Sequence, residues 1–189
     1  MANSDVVKGL IPVMYRNGTP YNGRCGKYYI PPTDNTAVYV GDPVKLAGSA
    51  DARGIPTVAK ASSTNVMVGV VVGVEPETAD SLRYRAASTG RYVFVADDPE
   101  LLFEIQEDSV GGALAVTSVG LNANFADAGG STVTGFSGLE IDSSTAATTA
   151  TLDFQIVRMV DREDNAIGDN AKWLVKLNNH QFVDGTTGV

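Results

Sequence analysis

Apolar and polar positions alternate along this chain in short runs such as AVYV, LLFEIQ and KWLVKL. Turn residues interrupt the runs about every 8 to 12 positions. No apolar period of 3.6 residues persists for more than two helical turns. The pattern predicts an all-β protein, a β-sandwich or small β-barrel, rather than alternating strands and helices. The stretch from Val66 to Val74, VMVGVVVGV, is apolar on both faces and rich in β-branched residues, which predicts a central strand ending at Glu75 and Pro76. Gly69 and Gly73 inside it predict a bulge or the close approach of another backbone.

The stretch from Arg91 to Asp108 reads RYVFVADDPELLFEIQED. Its first apolar run meets an acidic turn, and Leu101, Phe103 and Ile105 then share one face with Glu104 and Gln106 opposite. Two strands joined by a turn fit this order, with Asp98 and Pro99 at the first two positions of a type I turn. A short helix capped by Asp98 is the competing reading. Two further strands follow, FQIVRMV over 154–160 and KWLVKL over 172–177, joined by DREDNAIGDNA. Between them and the first group, residues 109–151 carry no Lys or Arg and are dominated by Gly, Ser, Thr and Ala. Long surface loops or weak edge strands are expected there, anchored in their second half by Phe125, Phe136, Leu139 and Ile141.

Residues 1–35 break the alternation. Four of the eight prolines and four of the seven tyrosines fall there, with Gly18, Gly23 and Gly26 between them. An extended N-terminal arm is expected, followed by one β domain over 36–183 and a flexible tail over 184–189. Tyrosines in an irregular basic segment tend to dock on a surface, so Tyr15, Arg16, Tyr21, Arg24, Tyr28 and Tyr29 are the candidate partner-binding residues. The docking surface would belong to a partner subunit or to the chain's own domain.

Charge sharpens this division. The chain of 189 residues has a formal net charge of −8, yet residues 1–35 hold four basic side chains against two acidic ones, a net of +2, leaving −10 for the rest. An acidic body repels phosphates, which argues against nucleic acid as a partner. The longest apolar run is about half of the roughly 20 residues a membrane-spanning helix needs, so no membrane partner is expected. The N-terminus lacks an apolar core of signal-peptide length. Cys25 is the only cysteine, which excludes an internal disulfide; a buried or inert thiol is expected.

Candidate chemistry is sparse. The acidic loop of Asp161, Glu163, Asp164 and Asp169 does not match the EF-hand spacing and contains Arg162, so a solvated turn is expected rather than a calcium site. Asp97, Asp98, Glu100, Glu104, Glu107 and Asp108 form a second acidic group, expected to be an exposed face rather than an acid–base pair. NGRCGKYY resembles a phosphate loop but places Tyr21 and Tyr28 where Gly and Ser or Thr are required. His180 has no second histidine with which to share a metal and is expected at a surface or edge. No catalytic residue, metal or cofactor is expected.

GDPVKLAGSAD, GIPTVAKAS and NVMVGVVVGVEP together resemble the strand-and-turn pattern of tailed-bacteriophage head decoration proteins. RYVFVADDPELLFEIQED and AKWLVKLNNHQ are similar to segments of small capsid-associated proteins of short-tailed phages. The resemblance covers roughly residues 38 to 183. It implies a non-enzymatic cement protein on the capsid exterior, made in the host cytoplasm, that binds the major capsid protein and self-associates as a dimer or trimer. A head-tail adaptor, tail component or receptor-binding knob is the alternative.

Overall fold

A computed structural model describes residues 3–183, and the expected flexible tail over 184–189 lies outside the described residues. The all-β expectation holds. Strands β1 (Ile11–Tyr15), β2 (Gly26–Ile30), β3 (Pro43–Ala50), β4 (Pro56–Lys60), β5 (Gly69–Val74), β6 (Arg91–Ala96) and β7 (Leu101–Gln106) occupy the first half. The second half holds β8 (Asn122–Ala123), β9 (Phe125–Gly130), β10 (Ser137–Ile141), β11 (Phe154–Met159) and β12 (Lys172–Leu177). Two single-turn 3-10 helices, Val116–Ser118 and Ser143–Thr145, are the helical elements among the described residues.

The strands divide into a closed barrel, ordered β2-β4-β3-β5-β6, and a five-stranded sheet, ordered β1-β7-β12-β11-β8, with β9 and β10 as a separate antiparallel pair. β1 pairs directly with β7, so the whole barrel lies in sequence between two neighbouring strands of the sheet. Ile30, Val44, Val58, Val68, Val71, Val93 and Val95 pack in the barrel cluster. Leu101, Phe103, Ile105, Trp173, Val175, Ile156 and Leu139 pack in a second cluster that Met67, Val70 and Ala96 join from the barrel side. The valine run is apolar on both faces for this reason: it walls off one core from the other.

Both glycine expectations in that run hold. A Cβ on Gly69 would meet the Ala96 carbonyl oxygen of β6, and the β5–β6 register slips between Val71 and Gly73. The Arg91–Asp108 stretch is two strands and a turn, with the Leu101 N–H donating to the Asp98 carbonyl and the Glu100 N–H to the Asp98 carboxylate. Its strands do not pair with each other. β6 closes the barrel and β7 lies inside the sheet, so the turn is the crossover between them.

The extended-arm expectation for residues 1–35 is corrected. β1 is hydrogen-bonded to β7, and β2 pairs with β6 along its full length. Proline density misled because Pro12 sits in an edge strand beside a bulge, while Pro20, Pro31 and Pro32 fall outside the strands. In the sparse 109–151 region, Phe125, Leu139 and Ile141 are buried anchors of β9 and β10, as their spacing suggested.

Candidate interaction surface

Between β1 and β2 the chain makes a loop over residues 16–25 in which every residue except Tyr21 is exposed. The loop folds back on the edge of β1: the Tyr21 N–H donates to the Val13 carbonyl and the Tyr15 N–H to the Thr19 carbonyl. Asn17 and Asn22 each accept from the N–H two residues on, the side-chain turns that favour such residues before glycine. Arg16 pairs with Glu100 at 3.1 Å, and both side chains are largely exposed. Tyr21 donates its hydroxyl to the Arg24 carbonyl and lies 6.5 Å, centroid to centroid, from Tyr15. Burial, with Cys25, Tyr15 and Asp97 adding to it, raises the Tyr21 phenol to about 12, so it is a hydrogen-bond donor at neutral pH.

The Tyr21 ring borders an apolar groove of about 380 Å³. Leu10, Ile11 and Pro12 form one wall, Val40, Val71 and Val72 of the barrel side another, and Phe136 and Lys8 complete it. An apolar trough lined by Lys8 and by Tyr21 of the loop suits an extended partner segment with apolar side chains and acidic flanks. A second cleft, of about 660 Å³, lies where the N-terminal segment crosses β7; Lys8, Arg162 and Lys172 line it together with Glu104 and Asp164.

The six candidate partner-binding residues separate in space. Tyr15, Arg16, Tyr21 and Arg24 gather at the loop. Tyr28 is a correction, because it is buried in the barrel and donates its hydroxyl to Asp97. Burial, then this bond, pushes its phenol well above the usual range. Tyr29 stands half-buried on the barrel exterior, its ring 5.0 Å from Tyr92. Lys8, Val40, Val72 and Phe136 were not among the candidates, and no local sequence signal joins positions so far apart.

The remaining candidates also find their places. Glu107 is fully buried rather than on an exposed face, whereas Glu100 and Glu104 pair with basic side chains. Arg162 bridges Glu104 and Asp164 across the acidic loop. No group of three or more His, Cys, Asp or Glu among the described residues is arranged to hold a metal ion. Cys25 is exposed. His180 is a correction too: it is buried, and its Nδ1 accepts from the Phe182 N–H. No helix among the described residues is long and apolar enough to cross a membrane. Compared with protein-family models, curated proteins and solved structures, the chain matches none of them.

Proposed function

We propose that this protein is a structural component of a phage virion, a decoration or cement protein that binds the outer surface of the head and joins neighbouring major capsid protein subunits. The observation that carries this reading is the apolar groove beside the exposed basic loop on an otherwise acidic body. A segment of a capsid subunit with apolar residues and acidic flanks would lie in the groove against Leu10, Val72 and Phe136, with Arg16 and Arg24 meeting its charges. The role is non-enzymatic and needs no cofactor. The protein acts as a dimer or trimer on the particle exterior after synthesis in the host cytoplasm, and it binds neither nucleic acid nor membrane.

Quantifying the protein in purified virions tests the reading. A copy number on the scale of the capsid subunits is expected; a number on the scale of a single vertex would favour an adaptor or tail part, and absence from particles would overturn the virion role. The double substitution Arg16→Glu with Arg24→Glu leaves both cores intact and should weaken attachment to particles lacking the protein. Undiminished attachment of the folded variant would remove the loop from the interface.

A further inference from the structure

The 16–25 loop contains two exposed Asn-Gly pairs, Asn17-Gly18 and Asn22-Gly23, and they are not equivalent. In both, the asparagine Oδ1 accepts from the N–H two residues on, at 3.0 Å in the first and 3.1 Å in the second. This folds the side-chain carbonyl over the glycine that follows. In both, φ of the glycine is positive and a Cβ there would meet nothing within 4 Å, so water reaches the peptide freely. The difference lies in the glycine nitrogen. Gly18 donates its N–H to the Tyr15 carbonyl at 2.9 Å, whereas the Gly23 N–H makes no hydrogen bond among the described residues.

We propose that Asn22 is a site of spontaneous deamidation, and that the turn geometry protects Asn17 from the same fate. The Gly23 nitrogen attacks Cγ of Asn22. An N–C bond forms, the Cγ–Nδ2 bond breaks, and the proton lost from Gly23 leaves with the amide as ammonia. Water then opens the resulting cyclic imide at either carbonyl, giving aspartate or isoaspartate and returning a proton to the ring nitrogen. The attacking species is the deprotonated amide, so the rate rises with pH. Gly18 must first give up its bond to Tyr15, which makes Asn22 about three- to tenfold faster. The product places a carboxylate two residues from Arg24, in a loop whose charged residues are Arg16 and Arg24.

Peptide mapping by mass spectrometry during incubation of the folded protein at mildly alkaline pH tests this. The peptide carrying Asn22 should gain the mass that accompanies replacement of an amide by a carboxyl, with ammonia released in step, while the Asn17 peptide lags. Unfolding in denaturant should bring the two rates together, because the Gly18 bond is then lost. Asn22→Gln, an exposed change that leaves both cores untouched, should abolish the gain at that position and leave Asn17 unaffected. Equal rates in the folded protein, a faster Asn17, or conversion of Asn22 only after unfolding would each overturn the proposal.

Discussion

Glu107 and His180 are two buried titratable side chains whose effects on stability oppose each other. The Glu107 carboxylate accepts the Leu114 N–H through Oε2, while Oε1 has no hydrogen-bond partner among the described residues. Burial is the main force lifting its pKa from 4.5 to about 7; the Leu114 and Ala171 amides partly oppose it, and Asp108 and Asp169 add repulsion. Because the folded-state value lies above the unfolded one, the native state binds the extra proton and stability falls as pH rises from about 4.5 through about 7, by at most about 3 kcal/mol. Burial lowers His180 from 6.5 to about 4, so its neutral form favours folding and stability falls as pH drops through that window. The two trends offset each other between about 4.5 and 6.5 in the wild type. Glu107→Gln removes one of them, and chemical denaturation across pH should then show stability tilted upward with pH relative to the wild type over that range. A pH profile parallel to the wild type would refute the assignment to Glu107.

Arg85, also fully buried, gives a residue-scale effect of a different kind. Its guanidinium donates to the Pro31, Asp34, Thr36 and Thr89 carbonyls and pairs with the Asp34 carboxylate, fastening the 31–36 turn to the connection between β5 and β6. Arg85→Ala leaves the Thr36 and Thr89 carbonyls without their donor and the Asp34 carboxylate without its cation, and should lower unfolding free energy by about 3–5 kcal/mol. A loss below about 1 kcal/mol, the scale of an exposed pair, would show that water reaches the site.

Among the elements, β5 carries the most constraint, since its side chains face two cores and its backbone lies against β6. Gly69→Ala inserts a methyl group toward the Ala96 carbonyl and should cost about 1–3 kcal/mol of stability in urea unfolding. The same change at Gly73, where a Cβ would find only the Phe94 ring at 3.6 Å, should cost less. If the two substitutions cost the same, backbone approach is not what selects glycine at Gly69. Between elements, Lys60 of β4 ties the barrel to the β9–β10 pair by bridging Asp42 and Asp127 at 3.2 and 2.9 Å. Burial pulls the Lys60 ammonium down, but the two carboxylates outweigh it and its pKa is raised.

For the whole molecule, the consequence lies in connectivity. Because β1 is paired with β7 and β2 closes the barrel, a chain beginning at residue 31 would lose an edge of the sheet and open the barrel between β4 and β6. Removal of residues 1–30 should therefore abolish cooperative unfolding, seen as loss of a sharp thermal transition. Retention of that transition would return the segment to the status of a dispensable arm. The proposed virion role is better probed by charge reversal in the loop than by truncation, since only the former leaves the fold standing.

Local pattern determined the strands. Alternation placed β7, β11 and β12 and the core faces of Phe103, Ile105, Trp173 and Val175, because a half-buried strand writes its geometry into every second residue. The Asp98-Pro99 turn was legible for the same reason, since it is fixed by the residues that make it. Which strands pair is decided by contacts far apart in sequence, and RYVFVA and LLFEIQ, adjacent in the chain, go to different sheets. The candidate surface divides along the same line. Tyr15, Arg16, Tyr21 and Arg24 could be picked out by composition, but the groove beside them needs Val72 and Phe136, which only the packing of barrel, sheet and β10 brings together. Burial of Tyr28, Glu107 and His180 was equally invisible, because whether a polar side chain meets water depends on what the rest of the chain lays over it.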